Sequence, residues 1–194
     1  MDSILGVISQ FNWVDLAFII LSYRIISIAL KNGFVAEFFK LLGIILAIYT
    51  AMHYYTALSD FLCDRFGVEK KMPLEFLDFS CFIALAALAY TFSLVLRLVF
   101  FRFMNLEAVP ALNKWLGFVL GIARILLLVG FIAFAMLIST IPYLRDKVNA
   151  SYFGKRSLRI APATYSAIWN GVMSNFMKNE KFNKAILEVQ EDSN

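Results

Sequence analysis

The sequence predicts an all-α integral membrane protein, with about four transmembrane helices followed by a C-terminal amphipathic helical tail. Three observations lead there. Of the 194 residues, 61% are apolar and only 16% charged, against about 45–50% and about 25% in soluble domains. The mean hydropathy is +0.74. The apolar residues also form continuous runs close to the roughly 20 residues that cross a bilayer, without the alternation of a lipid-facing barrel. Such hydrophobicity excludes disorder, and two cysteines in a chain of this length exclude a disulfide scaffold. Four spans leave no room for a separate soluble catalytic domain of usual size.

The first expected span covers residues 14–30, entered through Asn12, Trp13 and Asp15. Trp is a common interface residue. Met1 to Trp13 holds no Lys or Arg, so a cleaved secretory signal is not expected. Lys31-Asn32-Gly33 interrupts the run, and a second span follows over residues 34–52, closed by His53, Tyr54 and Tyr55. So short a link predicts an antiparallel helical hairpin. Residues 60–78, mixed in charge and holding Pro73, read as a loop. The third span covers residues 79–101. A polar link from Asn105 to Lys114 carries Pro110, and the fourth span covers residues 115–141, stopped by Pro142.

Residues 1–142 thus form a four-helix transmembrane domain and residues 143–194 a basic tail with eight of the eighteen Lys and Arg residues. In the tail, Tyr165, Ile168, Trp169, Val172 and Phe176 recur at helical spacing. Such an amphipathic helix either lies at the membrane surface or packs on the protein itself. Phe182, Ile186 and Val189 form a weaker second stripe.

Counting about 1.5 Å per residue places charges by depth. Asp15, Tyr54, Tyr55 and Ser80 fall near the N-terminal side; Lys31, Glu37, Arg97, Asn113 and Lys114 fall near the opposite side. From that opposite side Arg24 lies about 10 Å inside and Arg124 roughly 13 Å. A lone Arg in a span costs at least about 2.5–3.5 kcal/mol. Glu37, the nearest acidic group by depth, is therefore expected to pair with Arg124, Arg24 or both, the alternative being that both arginines snorkel to the interface. Glu37→Gln should then lower the folded yield more than Lys40→Gln. Gly117-x-x-x-Gly121 shares a helix face with Arg124, and such a pair lets a second backbone approach closely, within or between subunits. Ser80, Ala84, Ala87 and Thr91 form another small-residue stripe expected to pack. Asp15 and Ser22 lie on one face of the first span, Arg24, Ser27 and Lys31 on nearly the opposite one, which predicts a central position for that helix.

Enzymatic chemistry has little support. The single histidine, His53, reads as an interface residue, because zinc needs a close cluster of ligands. No phosphate-binding loop and no nucleophile elbow are present. Cys63 and Cys81 read as buried, inert thiols, the alternative being a bridge between them if their side of the membrane is oxidising. No cofactor or metal is expected. The net charge of +4 is explained by basic residues beside apolar runs, where lipid phosphates attract them, rather than by nucleic acid. The basic links leave the bias toward both termini outside a weak one, since the basic tail argues the reverse.

Asn12-Trp13-Val14-Asp15, Gly33-Phe34-x-x-Glu37 and Gly43, with the later Leu112-Asn113-Lys114-Trp115-Leu116-Gly117-x-x-x-Gly121-x-x-Arg124, resemble the colicin V production protein (CvpA) family. Ser151 and Pro162 fit that family's C-terminal region. The family often has Asp where this chain has Asn113 and Gly where it has Ile125, and Arg24 has no counterpart in its pattern. The resemblance implies a multi-pass protein of the bacterial inner membrane, linked to colicin V or other toxin production and export or to envelope homeostasis, with Asp15, Gly33, Gly43, Gly117, Gly121, Glu37 and Arg124 as the family-like positions. The partners expected are membrane lipids, export or envelope proteins, and a second copy through the Gly117/Gly121 face. A small oligomeric channel or transporter using Arg24, Glu37 and Arg124 is the competing expectation, because ionisable groups in spans often mark solute paths.

Overall fold

A computed structural model describes residues 12–68, 72–103 and 110–191. Every regular element in them is helical: α1 (Trp13–Phe66), α2 (Leu74–Phe103), α3 (Pro110–Ile138), α4 (Pro142–Ala150), α5 (Tyr152–Ser157), α6 (Ile160–Ile168), a π-helical turn (Trp169–Met173), α7 (Ser174–Phe176) and α8 (Ala185–Glu191). By length and composition, three helices among the described residues can cross a membrane: Trp13–Phe66, Leu74–Phe100 and Asn113–Ile138.

The first of these holds two expected spans. A straight helix of 54 residues would be about 80 Å long, far beyond the roughly 30 Å hydrocarbon core. Gly33 breaks it, with φ 72° and ψ −178°, a conformation open to glycine and strained for other residues. The neighbours on either side show that the chain reverses there. Before Gly33, Val14 and Phe18 cluster with Val129, Ala133 and Leu137, and Ala29 meets Gly121, so this arm runs antiparallel to α3. Beyond it, Glu37 meets Arg124 and Ile48 and Met52 share a cluster with Phe134, so the second arm runs parallel to α3. The expected hairpin is present, with one glycine as its turn.

The second arm does not stop at His53. It continues to Phe66, because Met52, Tyr55 and Ser59 are buried and the apolar face extends through them. Gly67, at φ 59°, closes it with its N–H bonded to the Cys63 carbonyl. The loop expected over residues 60–78 shrinks accordingly, and α2 begins at Leu74. Both prolines read as interruptions start helices instead: Pro110 opens α3 and Pro142 opens α4. Proline suits a first helical turn, where its missing N–H would have no partner anyway. Residues 105–109 of the expected link lie outside the described residues.

The second arm of α1, not the first, occupies the centre. Ile44, Ala47, Ile48, Ala51 and Met52 lie in the main core with Cys81, Phe82, Phe134, Tyr165 and Trp169, whereas Leu16, Ile20 and Tyr23 of the first arm are exposed. Two of the first arm's polar residues need no neighbours, because Ser22 and Ser27 donate to the carbonyls of Phe18 and Tyr23 on their own helix. The stripe of small residues on α2 also faces outward at Ala84, Ala87 and Thr91. Leu77, Cys81, Phe82 and Ala86 are buried instead, since that face covers more apolar surface. α2 runs antiparallel to the central arm, with Ser59 against Asp78 and Phe39 against Phe100.

Candidate functional site

The turn at Gly33 organises one end of the molecule. A Cβ there would lie 2.4 Å from the Asn113 side chain. Asn113 occupies that space because its Oδ1 accepts the Phe34 N–H at 2.7 Å, satisfying a donor that the start of the second arm would otherwise leave open. Gly117 lets α3 approach the turn itself, since a Cβ there would sit 2.9 Å from the Gly33 carbonyl carbon. At Gly121 a Cβ would come within 2.6 Å of Ala29. The two-glycine face is therefore filled by this chain's own first arm.

Beside this close contact, Glu37 is fully buried and Arg124 is 6% exposed. Glu37 Oε2 lies 3.0 Å from Arg124 Nη1, an ion pair whose angles fall short of an aligned hydrogen bond. Glu37 Oε1 accepts from Lys40 Nζ at 2.7 Å and from Asn32 Nδ2 at 3.2 Å. Two cations thus share one carboxylate, and Arg124 Nε is buried with no hydrogen-bond partner. Lys40, three residues along the same arm, is a member of the cluster and not the neutral control its sequence position suggested.

Arg24 does not join Glu37. It is exposed and makes no ion pair among the described residues; it lines a cavity with Lys40 and Arg124. Gly43 serves another contact, with a Cβ position 2.9 Å from Ser93 Oγ, and Ser93 donates to the Phe39 carbonyl at 3.1 Å. This holds α2 tightly against the central arm.

At the opposite end, Asp15 is also fully buried. Its oxygens accept from Ser151 Oγ at 2.7 Å, the Phe153 N–H at 2.8 Å, the Tyr152 N–H at 3.2 Å and the Asn12 N–H at 2.9 Å. Asn12 completes a capping box on α1 and donates from Nδ2 to the Lys147 carbonyl at 2.8 Å. The first arm's start is thereby tied to the junction of α4 and α5.

The tail is tied at this same end. His53 is buried, with Nδ1 2.8 Å from the Tyr165 hydroxyl and Nε2 2.5 Å from Glu180 Oε2. Asn183 Nδ2 donates to the Met52 carbonyl at 2.8 Å, and the Asn183 N–H donates to the Tyr165 hydroxyl at 3.1 Å. His53 is thus an anchor for the tail and not an interface residue, because a ring nitrogen on each side finds a tail partner. Burial raises the Tyr165 hydroxyl above its ordinary pKa. Of the tail stripe, Tyr165 and Trp169 are buried and Ile168 half-buried, while Val172 and Phe176 are exposed. The stripe splits at the π-helical turn, its first half packed on the protein and its second half bare. Cys81 is buried, and no disulfide joins it to Cys63.

A family model described as colicin V production protein matches residues 14–162. The chain belongs to the colicin V production protein family. No curated protein and no solved structure matches it. The family region includes Asp15 with its Ser151 partner and Glu37 with Lys40 and Arg124. It stops short of Tyr165, Glu180 and Asn183, so His53 lies inside the family region and its tail partners outside it. In this member Asn113 fills a position where an Asp would accept the same Phe34 N–H.

Proposed function

We propose that this colicin V production family member is a non-enzymatic, multi-pass protein of the bacterial inner membrane that assists production or export of colicin V or another toxin, or envelope homeostasis. The observation that carries this reading is the enclosure of Glu37. Its carboxylate is taken up by Arg124 and Lys40 where the hairpin turn packs on α3, so two of the three charges that suggested a solute path hold helices together instead. Breaking a buried pair is strongly destabilising, which fits a fixed scaffold for export or envelope partners and surrounding lipid.

The test uses a colicin V producer whose own family member has been deleted. Expressing this chain should restore extracellular toxin activity or resistance to detergent, and the purified protein in liposomes should pass no ions. Failure to restore either trait despite accumulation in the membrane would overturn the assisting role. Ion flux that Glu37→Gln and Arg124→Gln abolish, in protein that still inserts, would replace it with the channel or transporter reading.

A further inference from the structure

Arg24, Lys40 and Arg124 line one cavity of about 560 Å³ between the two arms of α1, α2 and α3. This lies within the roughly 300–1,000 Å³ of small-ligand sites. The rest of the wall is apolar apart from Tyr90, with Ile25, Ile28, Ile44, Ile83 and Phe131 among the lining residues. Three cations therefore face one space, and among the described residues the only carboxylate bonded to any of them is Glu37, which Lys40 and Arg124 already engage. Arg24 has no hydrogen bond or ion pair among the described residues, and the buried Arg124 Nε has no partner. Of the apolar lining residues Ile83 is exposed, and on the same helices Ile20, Tyr23 and Leu88, each next in sequence to a lining residue, are exposed too.

We propose that this cavity binds one anionic phospholipid, its phosphate held by Arg24, Lys40 and Arg124 and an acyl chain laid along the apolar wall. Charge complementarity selects an anion. The apolar rim selects an amphiphile over a free anion, since in a membrane the mouth meets acyl chains and not water. Arg24 lies nine residues and Lys40 seven residues from Gly33, about 10–13 Å below the turn. Their long stems can carry the charges toward the headgroup level. The proposal rests on the cavity and is independent of the role proposed above.

Native mass spectrometry of the full chain in neutral detergent tests it, with phosphatidylglycerol, phosphatidylcholine or inorganic phosphate added. Wild type should keep one phosphatidylglycerol in preference to phosphatidylcholine. Arg24→Gln, which removes no hydrogen bond or ion pair among the described residues, should lower retention at least about tenfold, the equivalent of one charge-assisted hydrogen bond. Ala87→Trp, which fills the cavity from its exposed side without altering charge, should also expel the lipid, and Lys155→Gln in the tail should not. Melting curves identify any variant that misfolds, and the other cavity variant then decides. Equal retention of the two lipids, or lipid kept by both cavity variants, would overturn the proposal. So would displacement by inorganic phosphate, which would make the occupant a soluble anion. Dimers abolished by Ala87→Trp would make the groove an interface between copies and equally overturn it.

Discussion

Asp15 and Glu37 are both fully buried carboxylates on α1, and they are neutralised by different means. Glu37 meets two side-chain cations and an amide. Asp15 meets no cation; three backbone N–H groups and one hydroxyl surround it. The two N–H groups of Tyr152 and Phe153 belong to the opening turn of α5, where backbone donors lack helical partners. An ion pair can hold two helices side by side along their length, as it does between the second arm and α3. The start of a helix leaves a cluster of backbone donors without helical partners, so Asp15 ties an end of the first arm to a helix end. One family region thus contains a lateral clamp and a terminal clamp.

The largest expected effect is at the lateral clamp. Glu37→Gln leaves Arg124 buried and uncompensated, and thermal unfolding in detergent should show a loss of about 3–5 kcal/mol. The double variant Glu37→Leu with Arg124→Leu should be less damaging than either single leucine variant. A double variant worse than both would mean that the pair contributes more than mutual compensation.

Asp15→Asn should cost less, about 1.5–3 kcal/mol for bonds to a charged acceptor, because no cation is left stranded. A loss equal to that of Glu37→Gln would erase the distinction between the two clamps. Gly33→Ala should cost about 1–3 kcal/mol from backbone strain, besides displacing Asn113. Added Asn113→Ala makes room for the methyl group but removes the acceptor of the Phe34 N–H, so it should recover only part of that loss.

The smallest effect is at the tail. His53→Phe should leave the melting of the bundle nearly unchanged, since Glu180 is partly exposed and such pairs contribute about 1 kcal/mol or less. The segment around Glu180 should become more sensitive to protease. Tyr165 adds a pH dependence. Its folded pKa is raised from 10.0 by burial first, so its contribution to tail docking is complete below about pH 10 and is lost as pH rises through the higher folded value. Protection of the tail that falls away below pH 9 would contradict that sign.

Legible in the sequence alone were the helical membrane class, the reversal at Gly33, the family, and the candidate partners of Glu37, Arg124 and Arg24. Each follows from run length, a single glycine, motif order, or depth counted along a helix. Tertiary structure decided the rest. Lys40 stands three residues from Glu37, so their shared helix face follows from spacing, but the burial of that face beside Arg124 does not. His53 proved internal because Tyr165 and Glu180 return to it from more than a hundred residues away, and no local pattern encodes that return. Ser151 was legible as a family position but not as the partner of Asp15, since two of Asp15's other partners are tail backbone N–H groups that any sequence would supply. Arg24 was a candidate partner by depth and does not pair with Glu37: depth fixes how far a residue lies along a span, whereas the partner depends on which way each helix is rotated, and only packing sets that.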